Sequence, residues 1–581
     1  MARKSVNLVV GTVLTLSMVL AACSNGNDNK QGSESPSASA PASAPASSQP
    51  SAEPVDSTNY DPLGKYEEPL TITQVLSYRP PEDPDTLKGV TPETNGYLKD
   101  LKEMTNIDVK YLWSVPQDQF QQKFSLAIAS GDLPDVMMVD QQTFEKFKEQ
   151  DLIADLTDVY EKYASPTMKK VVESDGGLAL QATTSDGKLM GVTTSYQSPV
   201  QMGYIRADWL KNLNLQVPTT MEEFEQVAEA FVKNDPDKNG KNDTYGISMN
   251  KNFLINAWGF DARGIFYAYD SYPGGWLKGD DGKLLAGDIQ PGTKDALAKL
   301  QSWYSKGILD KEFALKDENK ASEDIVAGKV GITLGEWWVP NWPLNLNKDK
   351  DPKADWIAIP LPTVNGEPTK TLISQTLNEI MVVNKKYKNP EAAIKLANFY
   401  LEMQKPKYID KSSPDYRGPN KGYVYLWFMP RLIYRNFLND AFNAVNTALD
   451  AKQEKLDIPD DFLAAGDAAL FFTESKKYLA NPRDNVAWGI YFSRVAKDGG
   501  FGLSKKVLDS NTFVENEFFG VQTPTQVERG ASLNKLIAET FTKIIMGAPL
   551  DDYDSFVSSW KKLGGDDITE EVNEWYAKNQ G

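Results

Sequence analysis

The run Asp235-Pro236-Asp237-Lys238-Asn239-Gly240-Lys241-Asn242-Asp243 places several hard oxygens on one short stretch of chain. Oxygen-bearing side chains fall at its first, third, fifth and ninth places, with glycine at the sixth, where a calcium loop of the EF-hand kind must turn sharply. Asp235, Asp237, Asn239 and Asp243 would offer side-chain oxygens, and Lys241 its backbone carbonyl, which any residue type supplies. Carboxylates gathered this closely repel one another unless a cation lies among them. The twelfth place, however, is Gly246 instead of a bidentate glutamate, and Tyr245-Gly246-Ile247-Ser248 reads as a strand. The sequence predicts a structural Ca2+ site rather than a switching EF-hand pair; the alternative is a solvated turn.

What is missing bounds the rest of the chemistry. None of the 581 residues is histidine and Cys23 is the only cysteine. That excludes Ser-His-Asp and Cys-His nucleophiles, histidine acid–base catalysis, His-ligated zinc, disulfides and thiolate clusters. Any catalysis would rest on carboxylates, Lys, Tyr or a hard metal ion. No ordinary side chain here titrates between about pH 6 and 8, so ligand affinity should vary little in that window. With 62 basic and 80 acidic residues the formal charge is −18, which repels nucleic acid and anionic membrane surfaces. The length calls for two or more lobes with substantial cores.

The elements that would position a site begin after a leader. Arg3 and Lys4 precede an apolar stretch from Leu8 to Leu20, short for a membrane span, which reads as a signal peptide over 1–22. Its end, Leu20-Ala21-Ala22-Cys23, resembles a bacterial lipobox, which implies cleavage before Cys23 and a lipid on its thiol. Of residues 33–54, 19 of 22 are Ser, Ala or Pro. The whole stretch 23–59 is predicted to be a disordered tether.

From Tyr60 onward, short β-type runs alternate with helical patterns, which predicts an α/β fold. Leu70–Leu76, Asp135–Val139, Gly331–Leu334 and Trp356–Ile359 read as strands. Phe120, Phe124, Ala127 and Ile128 line a helix that stops near Gly131. Thr220 and Glu223 form a capping box ahead of the stripe Phe224, Val227, Ala228 and Phe231. Asn389-Pro390-Glu391 opens another helix, and Leu533, Leu536, Ile537, Phe541, Ile544 and Ile545 recur at helical spacing.

Ala129-Ser130-Gly131-Asp132-Leu133-Pro134-Asp135-Val136, Ile205-Arg206-Ala207-Asp208-Trp209-Leu210 with Val217-Pro218-Thr219-Thr220, and Gly328-Lys329-Val330-Gly331-Ile332 with Gly335-Glu336-Trp337-Trp338 appear in that order. Leu361-Pro362-Thr363-Val364-Asn365-Gly366-Glu367-Pro368 and Trp560–Tyr576 follow. In sequence and order these segments resemble extracellular solute-binding proteins of family 1, sugar-binding lipoproteins of ABC importers, in the LplA-like branch. The resemblance implies a two-lobed clamp of the type II periplasmic-binding kind, with doubly wound sheets joined by a hinge. It places residues 60–193 and 377–450 in lobe one, and 194–376 and 451–581 in lobe two. It implies a non-enzymatic protein, anchored by lipid at the extracellular face of the membrane and monomeric. Such a protein would pass an oligosaccharide to ABC-importer permease subunits. Relatives of this size carry an Asp/Asn calcium loop.

Sugars present polar edges and apolar C–H faces, so their sites combine flat aromatics with amides, carboxylates and guanidinium groups. Trp337, at the family's stacking position, and Trp338 are the leading candidates, and one of the two could instead be core. Asp140 and Gln141 follow a strand and are either sugar ligands or a helix cap. Arg206 is either a cleft residue or a salt bridge. Trp258, Tyr196 and Trp276 complete the expected site. Trp209 and Trp303 lie on helical stripes and are expected in the core. Two other readings stand beside this one: a surface-anchored glycoside hydrolase using paired carboxylates, and a peptide-binding importer component of the same fold. An aromatic-rich cleft with few clustered basic residues favours neutral glycans over polyanions.

Overall fold

The computed structural model describes residues 60–78, 91–255, 259–409 and 430–579. The leader, Cys23, the tether and Trp258 lie outside the described residues.

The first sheet begins with Leu70–Tyr78, paired in parallel with Ile107–Pro116. Val136–Val139 lies on its other side, where Thr73 donates from both N–H and hydroxyl to Asp135 Oδ2, at 2.8 and 2.7 Å. Ile380–Val383 then runs antiparallel to Val136–Val139 and also bridges Val192. All four residues of Ile380–Val383 are buried, as an apolar run covered on both faces must be. The helix Gln117–Ser130 ends at Gly131 in the left-handed region, with Phe124 and Ala127 buried. Glu391–Glu402 packs deeply on this sheet. Its N-cap is Pro390, without a side-chain bond, so Asn389 does not cap it as the sequence suggested.

The second sheet has the order Trp356–Ile359, Met202–Arg206, Val330–Gly335, Tyr245–Ile247. Met202–Arg206 runs antiparallel to both of its neighbours, whereas Tyr245–Ile247 is parallel to Val330–Gly335. The helix Met221–Lys233 starts with the Thr220/Glu223 capping box and buries Phe224, Val227, Ala228 and Phe231. It lies so close to the sheet that a Cβ on Gly331 would come within 2.1 Å of the Phe231 ring. Trp209 and Trp303 are fully buried, as expected. The late helix is longer than its apolar stripe. It spans Pro524–Ile545, opened by a Thr523/Gln526 capping box, and its first turns are too polar to show in the hydrophobic spacing.

Helices Phe437–Asp450, Ala465–Ala480, Asn485–Arg494 and Gly500–Asp509 contribute to a further core around Phe471, Phe472 and Phe501, which Trp337 joins from the second sheet. The chain passes between the sheets at three places that are bonded together. Ser195–Gln197 pairs antiparallel with Gln375–Leu377. Thr193 Oγ1 donates to the carbonyls of Asn378 and Glu379 (3.1 and 3.0 Å), and Thr194 Oγ1 accepts from Asn378 Nδ2 and Ile433 N–H (2.9 and 3.2 Å). Arg435 donates to Ser195 Oγ at 3.0 Å and to Gln197 Oε1 at 3.2 Å.

Candidate ligand cleft

Ligands of open α/β sheets lie beyond the carboxyl ends of the strands. At that end of the second sheet, Val330–Gly335 runs into Glu336-Trp337-Trp338 and Tyr245–Ile247 into Ser248 and Asn250. Met202–Arg206 is antiparallel, so it is its beginning, at Gln201, that lies there. A buried polar network joins Gln201 to the end of Val330–Gly335. Gln201 Nε2 donates to Glu336 Oε1 at 3.2 Å, and Arg263 stands 3.5 Å from the same oxygen. Arg263 Nε also donates to both carboxylate oxygens of Asp261, at 2.8 and 3.1 Å. Tyr204 Oη donates to the Glu336 carbonyl at 2.9 Å.

Burial pushes the Glu336 carboxyl up to about 8; Arg263 opposes the rise and Asp261 adds to it. Burial thus moves toward the window between about pH 6 and 8 a carboxyl whose ordinary value lies well below it. Gln201, Asp261, Arg263 and Glu336 escaped the sequence reading because they are scattered over 136 residues with no common spacing. The available signal was Glu336 itself, a carboxylate between a strand and two tryptophans.

Trp337 is half-buried. Its ring meets Trp338 edge-on at 4.9 Å and Phe501 at 6.4 Å, and the Arg494 guanidinium lies 5.0 Å from its centre. Gly500 presses against its backbone: a Cβ there would sit 2.2 Å from the Trp337 carbonyl oxygen. Trp338 is also half-buried. Asp140 caps the helix Gln141–Glu149 by accepting from Thr143 N–H at 2.7 Å, and Gln141 is that helix's first residue. Both stand at the carboxyl end of Val136–Val139, next to Glu379 at the start of its antiparallel neighbour. Burial raises the Glu379 pKa; Arg431 opposes this and Asp140 reinforces it. Tyr196 is 44% exposed on the first crossing strand.

Two expected cleft residues are elsewhere. Arg206 is 1% exposed and donates to Asp208 (2.8 and 2.7 Å) and Asp351 (3.1 Å), with its guanidinium over Trp209 and Trp356. It ends a strand antiparallel to Val330–Gly335, so it lies at the opposite end of the sheet from Gln201 and Glu336. Trp276 is buried against Phe518, in the core formed with the C-terminal helices.

In the acidic loop, Asp235 accepts from the N–H groups of Asn239 and Gly240 (3.1 and 3.0 Å). Asn239 Nδ2 bridges Asp237 and Asp243, at 2.8 and 3.1 Å. Gly240 has φ 77°, the sharp turn the sixth place requires. Desolvation, a hydrogen bond with Asp235 and the charges of Asp235 and Asp243 raise the Asp237 pKa. Among the described residues no three His, Cys, Asp or Glu side chains converge tightly enough to hold a metal as they stand. The donor set nonetheless fits a calcium ion: three carboxylates in mutual repulsion, an amide and a carbonyl, all hard oxygens.

Residues 86–405 match the family of bacterial extracellular solute-binding proteins. The chain belongs to that family. This solute-binding protein is 23% identical over 518 residues to the lipoprotein LipO of Bacillus subtilis, covering 85% of this chain and 93% of that one. It is 26% identical over 268 residues to the fructooligosaccharide ABC transporter substrate-binding protein FusA of Streptococcus pneumoniae, an alignment spanning 43% of this chain and about half (48%) of that one. By structure it is similar to an EF-hand mutant of FusA in complex with fructo-nystose, with TM-score 0.56, 18% identity, and 88% and 99% of the two chains covered. The alginate-binding protein AlgQ2, in a structure without calcium ion, gives TM-score 0.57 at 16% identity, covering 89% of this chain and 99% of that one. The fold is the two-lobed one of these proteins. FusA and AlgQ2 are binding proteins by name, the one seen as an EF-hand mutant and the other without calcium ion. Among the described residues no helix is long and apolar enough to cross a membrane.

Proposed function

We propose that this solute-binding protein captures an oligosaccharide between its lobes and delivers it to the permease subunits of an ABC importer. It would act as a monomer at the outer face of the cell membrane, held by a lipid on Cys23. The observation that carries the reading is the Trp337–Trp338 corner standing beside a buried amide, carboxylate and guanidinium at the carboxyl end of the second sheet. That pairing of flat apolar surface with planar polar groups suits a sugar's two kinds of surface. Asp140 and Gln141 at the matching end of the first sheet, and Tyr196 between, would complete the cleft. Lobe one would comprise residues 60–193 and 377–450; lobe two would take 194–376 and 451–581. The three bonded crossings would act as the hinge on which ligand closes them.

Asp235, Asp237, Asn239, Asp243 and the Lys241 carbonyl would hold a calcium ion. Its charge would relieve their repulsion and fix the loop between the helix Met221–Lys233 and the strand Tyr245–Ile247. The names of LipO, as a lipoprotein, and FusA, as a fructooligosaccharide binder, support the reading. Calorimetry against neutral and acidic oligosaccharides, with released reducing sugar assayed in the same samples, tests it. Saturable binding without new reducing ends is expected; reducing ends appearing with turnover, or no binding to any glycan, would overturn it.

A further inference from the structure

We propose that Arg431, Arg435 and Arg494 receive carboxylates in the cleft, so that the oligosaccharide it captures carries uronic acids. The assignment rests on the oligosaccharide reading above and narrows it to a substrate class.

Each arginine is tied to a different part of the proposed cleft. Arg494 lies against the Trp337 ring, 5.0 Å from its centre, at the ligand end of the second sheet. Arg435 holds Ser195 and Gln197, the residues on either side of the exposed Tyr196 on the first crossing. Arg431 acts on Glu379, at the ligand end of the first sheet. All three are partly exposed. The expectation of neutral glycans rested on the absence of clustered bases along the chain. The fold sets these bases at the cleft from the third crossing and from a helix distant in sequence.

Their partners are what sets them apart. Arg206 and Arg263 are each held by aspartates. Among the described residues Arg431, Arg435 and Arg494 form no ion pair, and their hydrogen-bond partners are neutral. Arg494 donates to Ser493 Oγ at 2.6 Å, Arg435 to a hydroxyl and an amide, and the Arg431 Nε is buried with no partner. Burial lowers the Arg494 pKa to about 10 against the pull of Asp467, and lowers that of Arg435 against Asp175 and Glu515. Cations desolvated without a counter-charge are costly, and a guanidinium fork matches a carboxylate through two parallel bonds.

The nearby acids do not cancel this charge. Asp175 accepts from the N–H groups of Gly177 and Ala179, each at 3.0 Å, and Asp140 accepts from Thr143. Asp467 and Glu515 act from beyond ion-pair distance. Burial raises the Glu379 pKa and holds that of Glu336 at about 8, which reduces the negative charge at both sheet ends.

The test is calorimetry of the full chain with tetragalacturonate, tetramannuronate, the methyl ester of each, and maltotetraose. The esters keep the shape without the charge. At least one acid should bind about tenfold or more tightly than its ester. Arg431→Gln and Arg494→Gln should each weaken that acid about tenfold and its ester little, so that the gap narrows. Esters binding as tightly as their acids, or folded Arg431→Gln and Arg494→Gln proteins that keep the native acid-to-ester ratio, would overturn the assignment. Tight binding of maltotetraose with no response to either acid would also overturn it, while leaving the oligosaccharide reading in place. If Arg494→Gln does not fold, the native ratio and the Arg431→Gln titration still decide. Silence from every probe and from a wider glycan set would overturn the oligosaccharide reading, and this assignment with it.

Discussion

Replacing Trp337 with alanine should weaken both the ligand complex and the fold. The ring has two edge-on aromatic neighbours, Trp338 at 4.9 Å and Phe501 at 6.4 Å, and a stacked guanidinium, Arg494 at 5.0 Å. Each aromatic contact contributes about 0.5–1.5 kcal/mol, and the cation–π contact about 0.5–2 kcal/mol. Allowing the hole to collapse in part, the fold should lose about 2–4 kcal/mol. The unit Asn59–Gly581 should melt with an entropy on the order of 1 kcal/mol/K, so the midpoint should drop by about 2–4 °C. On the ligand side, losing a stacking platform of roughly 50–100 Å2 costs about 2–4 kcal/mol, or about 30- to 1,000-fold in affinity.

Differential scanning fluorimetry and calorimetry on one preparation read both quantities. Trp303→Ala is the control. That ring is fully buried and stacks on Phe224 at 5.9 Å, so it should cost about 3–5 kcal/mol of stability and leave the affinity of the folded fraction unchanged. A Trp337→Ala protein that melts lower yet binds the best sugar with native affinity would refute the reasoning. Trp337 would then be a core residue, and Trp338 the candidate platform. An open-cleft tryptophan would cost the fold little; the stacked Arg494 raises the cost at this position.

Other perturbations test separate parts of the account. Glu336 has a folded pKa of about 8, above an unfolded value of about 4.3, so the stability it contributes is complete below that lower value and is lost as pH rises through about 8. The melting temperature should therefore fall between about pH 5 and 8.5 more steeply in the native chain than in Glu336→Gln, and equal slopes would show that burial does not hold the Glu336 proton. Arg206→Met should destabilise by about 1–3 kcal/mol, because it removes the buried guanidinium's charge-assisted bonds to the half-buried Asp208, while leaving sugar affinity alone; an affinity loss in the folded variant would return Arg206 to the cleft. Calcium at 100 times its dissociation constant should add about 2.7 kcal/mol after EGTA treatment, magnesium much less; unchanged melting curves, or a response kept in Asp237→Ala, would argue against the loop as the site. Cys23→Ala should release the protein from cells, and retention in the membrane fraction would refute the lipid anchor.

The sequence determined by itself whatever depends on short-range pattern. The capping box at Thr220 and Glu223, the stripe from Leu533, the buried strands and the turn at Gly131 were readable because helix and strand periods bury every third, fourth or second residue. A composition without histidine and with one cysteine removes whole classes of chemistry, because the groups that perform them are not in the chain. The ligand end of the second sheet was decided only by tertiary structure. Arg206 and Gln201 sit at the two ends of one strand, and nothing local says which end meets the ligand; the antiparallel pairing with Val330–Gly335 does. Trp337 and Trp276 carry similar local signals, yet Arg494 and Phe501 come to one from a distant helical core and Phe518 closes over the other. The Glu336 carboxyl is raised by burial at the end of the packed sheet, with Arg263 opposing the rise and Asp261, distant in sequence, adding to it. Such a network has no period along the chain, because hydrogen bonds and desolvation depend on distance in space, and only the packed sheet sets that distance.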